Sequence, residues 1–114
     1  MKVHLLRMFD GQTIRIHEIQ PGVFACPVCG FDLGNMPPWS EGYAMRPDGS
    51  RTELRASASH EICPSCDTEF GYDDAEEGIS QEECWHRLRE RWLAGTDDKE
   101  RARVQLKNIG IILD

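Results

Sequence analysis

Apolar and polar residues alternate twice near the start of the chain, in KVHLLRMF at residues 2 to 9 and in QTIRIHEI at 12 to 19. A period of two places alternate side chains on opposite faces of a strand, and Asp10-Gly11 between the runs is the signal of a tight hairpin whose two turn residues tolerate positive φ. Ile14 and Ile16 then share one face of the second strand, and Val3 and Leu5 one face of the first. Pro21-Gly22 ends the hairpin. The period changes late in the chain, where Trp85, Leu88 and Trp92 recur at i, i+3 and i+7, with Cys84 beside them and Arg87 and Arg91 flanking. Ser80 and Glu83 form a capping-box pair, in which each side chain satisfies an orphan backbone donor, so the pattern predicts a helix over 81–94 stopped by Gly95. A second such pair, Asp97 to Glu100, predicts a shorter helix through Ala102, Leu106 and Ile109, ended by Asn108 and Gly110, with the IIL that follows closing as a strand. Between the two regions, residues 34 to 60 are rich in Gly, Pro and Ser and read as a loop with one weak hairpin turning at Pro47-Asp48-Gly49.

Strands followed by helices predict an α+β fold. At 114 residues the chain is one domain, near the size at which a core benefits from a metal or another staple. Its segments read as an N-terminal hairpin extension (1–22), a central ribbon (23–72), and an acidic segment with helices (73–114). No run approaches the roughly 18 apolar residues of a membrane span, and the start of the chain is charged too soon for a signal peptide, so the expectation is a soluble cytoplasmic protein. The formal charge of −7 opposes nucleic acid and anionic membranes, and favours a basic partner.

Candidate chemistry lies in CPVCGF at Cys26 and CPSCDTEF at Cys63. A Cys-x-x-Cys turn aims two sulfurs at one point, and two such turns complete a tetrahedral shell of four thiolates. Pro27 and Pro64 fix φ at matching places, and the amides after them are positioned to donate to the sulfurs. Cys26, Cys29, Cys63 and Cys66 are therefore the predicted metal ligands, with zinc expected and iron also compatible with the set. The five cysteines are an odd number, which suits ligation in a reducing compartment better than a disulfide framework. Gly30 follows the first pair, where the knuckle turns left-handed. Asp67 stands at the matching place in the second, and accepts that conformation with some strain.

CPVCGFDL, EICPSCDTEFGYDD and the RLRERWL helix resemble the small bacterial cysteine-rich proteins named for a CPCC motif, over residues 26 to 34 and 61 to 93. This chain reads CPVC and CPSC where that family often has adjacent cysteines. The resemblance implies a zinc-ribbon-like interaction module, and an immunity protein that neutralises a toxin is one role it suggests. The knuckles are also similar to rubredoxin, in which iron on the same turns carries single electrons, although Cys66 lacks the following Gly.

Other residues receive plainer readings. Cys84 is expected as a small buried hydrophobe, and His60 as a strand-edge histidine beside a complete ligand set. Asp73, Asp74, Glu76 and Glu77 lack the alternating order of a calcium loop and read as a solvated acidic loop or docking face. Trp39 is expected to cover the metal or to meet a partner. No nucleophile–base set, phosphate loop or open metal position is recognisable, so the chain does not read as an enzyme. The expected function is a zinc-stabilised interaction module with a basic protein partner, with a rubredoxin-like electron carrier or a nucleic-acid-binding zinc ribbon as alternatives.

Overall fold

The computed structural model describes residues 1–8, 10–43, 45–52 and 54–113, and shows the α+β arrangement. Strands β1 (Lys2–Arg7), β2 (Thr13–Gln20) and β3 (Val23–Phe24) form an antiparallel sheet in that order. Strands β4 (Trp39–Gly42) and β5 (Arg55–Ala58) form a second antiparallel pair, followed by helices α1 (Gln81–Gly95) and α2 (Lys99–Lys107).

The first hairpin closes through a longer loop than a two-residue turn. Met8 donates to the carbonyl of Gln12 and Gly11 donates back to that of Met8. Gly11 alone of the expected turn pair takes positive φ, at +88°. Asp10 instead accepts the amide of Gln12, a local bond that short carboxylates make readily. The register sets Leu6 opposite Ile14 and His4 opposite Ile16, so the inward face carries those residues. Val3 and Leu5 do share a face, but it is the outer one, and both are exposed. Ile14 and Ile16 are fully enclosed. Beyond Pro21, Gly22 at φ +78° turns the chain back into β3, which pairs with the end of β2 across a bulge.

The Gly- and Ser-rich stretch is more ordered than its composition suggests. Trp39 pairs with Ala58 and Gly42 with Arg55, and the turn at its tip is closed by Gly49 donating to Arg46. Trp39 lies on β4 rather than in a loop, because burying an indole offsets the weak strand propensity of its neighbours.

Helix α1 begins where expected. The Ser80 hydroxyl accepts the Glu83 amide at 3.1 Å, while the Glu83 carboxylate meets Arg87 one turn on. Gly95 is the last helical residue, and the extended Thr96 behind it ends the helix. The N-cap of α2 is Asp98, one residue later than expected, because its carboxylate reaches the Arg101 amide at 2.9 Å. Gly110 at φ +77° reverses the chain, and Ile111 donates back to Leu106. Residues 111–113 form no strand. Ile111 and Leu113 pack back against a small apolar cluster of Ala25, Leu106 and Ile109, a hydrophobic gain that needs no pairing edge.

The main core joins the inner hairpin face, both knuckles, Trp39, Phe70 and Trp85. Leu88 and Trp92 pack on its flank, so the apolar stripe of α1 is used as its spacing predicts.

Candidate metal centre

Each knuckle is built by the same backbone bonds. In the first, Gly30 donates to the carbonyl of Cys26 and Cys26 to that of Phe31; in the second, Asp67 donates to Cys63 and Cys63 to Thr68, all at 2.8–2.9 Å. A one-residue bridge closes each turn, Ala25 to Asp32 and Ile62 to Glu69. Both turns require a left-handed residue after the second cysteine. Gly30 (φ +80°) and Asp67 (φ +61°) occupy that place as expected. At Gly30 a second demand applies, since a Cβ there would stand 1.9 Å from the carbonyl oxygen of Gln105 in α2.

The two knuckles face each other. The Sγ atoms of Cys26, Cys29, Cys63 and Cys66 all lie within 4.8 Å of one another. Cys26 to Cys66 and Cys29 to Cys63 are each 3.7 Å. A tetrahedron with metal–sulfur bonds of about 2.3 Å has edges of about 3.8 Å, so these separations fit one four-coordinate cation such as zinc or iron. All four are free thiols. Three are buried, and Cys66 is partly exposed beside the Thr68 hydroxyl at 3.2 Å.

Protons are unevenly held in this cluster. Burial, then contact with the other three thiols, pushes Cys26 well above its ordinary value. Hydrogen bonds from Cys26, Cys29 and Cys66 hold Cys63 far below it, with the Cys66 amide adding to the effect. A divalent cation would allow all four to ionise together, which is why binding to such a set releases protons.

The groups that brace the knuckles carry no motif. Arg89 of α1 donates through Nε to the carbonyl of Val28 at 2.7 Å and through Nη2 to that of Pro27 at 2.8 Å. Gln105 of α2 donates to Ser65 Oγ at 3.0 Å and to the Cys29 carbonyl at 3.4 Å, so one amide touches both knuckles. Asn108 donates to the Gly30 carbonyl at 2.9 Å. A cation-bearing residue facing inward among exposed charges was the one available signal for Arg89; nothing local marks Gln105.

Asp74 departs most from its expected place. It is fully buried rather than solvated, and its carboxylate accepts the Gly71 amide (2.6 Å) and the indole N–H groups of Trp39 (3.1 Å) and Trp85 (2.8 Å). Trp39 is thereby turned into the core, at 7% exposure. Asp73, Glu76 and Glu77 remain exposed. Cys84 is buried as expected, at 4% exposure. His60 follows β5 at φ +65°, exposed, and belongs to no metal-ligand group among the described residues.

No family model, curated protein or solved structure matches the chain. Among the described residues, no helix is long and apolar enough to cross a membrane.

Proposed function

We propose that the chain is a zinc-stabilised protein-interaction module, with Cys26, Cys29, Cys63 and Cys66 holding one structural zinc and the acidic segment after them receiving a basic protein. The observation that carries this reading is the four-sulfur cluster, with all Sγ atoms within 4.8 Å of one another and the Cys26–Cys66 and Cys29–Cys63 pairs at 3.7 Å. Four protein ligands leave no position for water or substrate, which favours a structural over a catalytic role for the ion. Such a site adds its binding free energy to folding, a useful gain for a domain of 114 residues. The charge of −7 and the exposed Asp73, Glu76 and Glu77 beside a braced helix favour a basic partner over nucleic acid. Neutralisation of a basic toxin, the role suggested by the likeness to CPCC-type proteins, is the biological setting we infer.

Elemental analysis of the purified protein should give one zinc per chain. Cys63→Ser should lower zinc content and thermal stability together, whereas Cys84→Ser should leave zinc content intact. Unchanged zinc in Cys63→Ser would sink the assignment. The twin knuckles also suit iron and electron transfer, and a red ferric–thiolate spectrum in protein from the source cell would replace the zinc reading with that one.

A further inference from the structure

A cavity of about 550 Å³ opens between the second knuckle and α1, with Cys66 on one side and Cys84 on the other. Leu88 and Trp92, both half-buried, give it apolar surface. Asp67, Asp73 and Glu76 stand around it, opposed by Arg87 and Arg91. Arg87 is already engaged by Glu83 at 3.2 Å and Glu76 at 3.7 Å, which offsets its charge. Four thiolates around a divalent cation add two further negative charges behind the Cys66 wall, so the loaded cavity favours a cation.

We propose that this cavity receives an arginine or lysine side chain of the basic partner, its aliphatic stem on Leu88 and Trp92 and its charged end toward Asp67 and Asp73. This rests on the interaction-module reading above and names the anchoring point within it. Long cationic side chains combine an apolar stem with a charged head, and an indole face adds attraction for the cation. The occupant would also cover Cys66, the one ligand that is not buried. Docking therefore shields the open flank of the metal centre, and a docked partner slows loss of the metal.

The test uses the full zinc-loaded chain and an acetylated, amidated peptide of alternating glycine and arginine. Titration followed by NMR should move the Trp92 indole N–H and the Leu88 methyls saturably, and should slow zinc transfer to a chromophoric chelator. Asp67→Asn with Asp73→Asn, which preserves side-chain size and tolerance of positive φ, should weaken binding about three- to tenfold, the range of two partly exposed charge pairs. Arg91→Gln should tighten it about twofold by removing a like charge. Saturable binding that shifts residues around Asp97, Asp98 and Glu100 while Trp92 stays still would overturn the cavity assignment and leave the basic-partner reading intact. No saturable binding by the basic peptide would overturn both. A glycine–glutamate peptide that moved Trp92 and required Arg91 would show an anionic occupant and overturn the proposal. So would a Trp92 shift with no change in zinc transfer, for the shielding of Cys66.

Discussion

Removing the Asp74 carboxylate should be among the most damaging single changes outside the cysteines. Asp74→Ala deletes the acceptor of two indole N–H groups, in Trp85 at 1% exposure and Trp39 at 7%, and of the Gly71 amide. A buried donor left unpaired costs about 1–3 kcal/mol. The two indoles have little access to water, whereas Gly71 is half-exposed and can recruit it, so the expected loss is about 3–5 kcal/mol. Domains of this size have about 5–15 kcal/mol in all. Asp74→Asn keeps one acceptor oxygen but turns an amide donor toward Gly71 or the indoles, and should lose less, about 1–2 kcal/mol. Asp73→Ala is the control next door: its carboxylate accepts the Glu69 amide at an exposed position, and its loss should cost under about 1 kcal/mol. Urea denaturation in excess zinc, followed by tryptophan fluorescence, measures all three without confusing unfolding with metal depletion. Adding Trp85→Phe to Asp74→Ala should cost less than the two changes summed, by about 1 kcal/mol or more, since the stranded donor is gone. Additive losses, or an Asp74→Ala protein within about 0.5 kcal/mol of wild type, would refute the claim that this carboxylate joins the two indoles.

Gly30→Ala should destabilise by about 2–4 kcal/mol, from a left-handed backbone and a Cβ driven into α2, whereas Asp67→Gly should gain up to about 1 kcal/mol by relieving strain; paired melts in zinc measure both. His17 predicts a pH effect: its buried Nδ1 has no hydrogen-bond partner among the described residues, and burial, then Arg15, lowers its pKa, so below about pH 6.5 the unfolded chain binds the proton more readily and stability falls as the pH falls. His17→Gln should flatten that slope between pH 7 and 5, and an unchanged slope would assign the loss to other groups. Acid should also release metal as the thiols regain protons, so zinc retention measured against pH should drop as pH falls, and retention independent of pH would contradict thiolate ligation.

The meeting of the four cysteines was legible because their chemistry is local: a Cys-Pro-x-Cys turn aims its sulfurs whatever lies around it, and the residue after it must accept a left-handed backbone. Ser80 was legible for the same reason, as a cap depends on a three-residue spacing. Asp74 was not. Its four-residue acidic neighbourhood looks solvated, and only the arrival of Trp39 and Trp85 from 35 and 11 residues away supplies donors that justify burying a carboxylate. Gln105 and Asn108 were hidden likewise, since their partners in the knuckles lie 76 and 78 residues earlier. Asp97 and Asp98 show the intermediate case, where local chemistry marks a cap and tertiary packing chooses between neighbours. The closing IIL has strand-forming residues, but the nearby cluster of Ala25, Leu106 and Ile109 offers burial without a pairing edge.

The clamp that α2 places on both knuckles has a consequence in time. Gln105 and Asn108 follow Cys66 in chain order, so during synthesis the four ligands leave the ribosome before the segment that fixes their separation. A nascent chain could thus take up a cation on two loosely related turns, where entry is easy, and lose that freedom once the later helix settles against Gly30. Acquisition would then be governed by the open, early species and retention by the closed, late one.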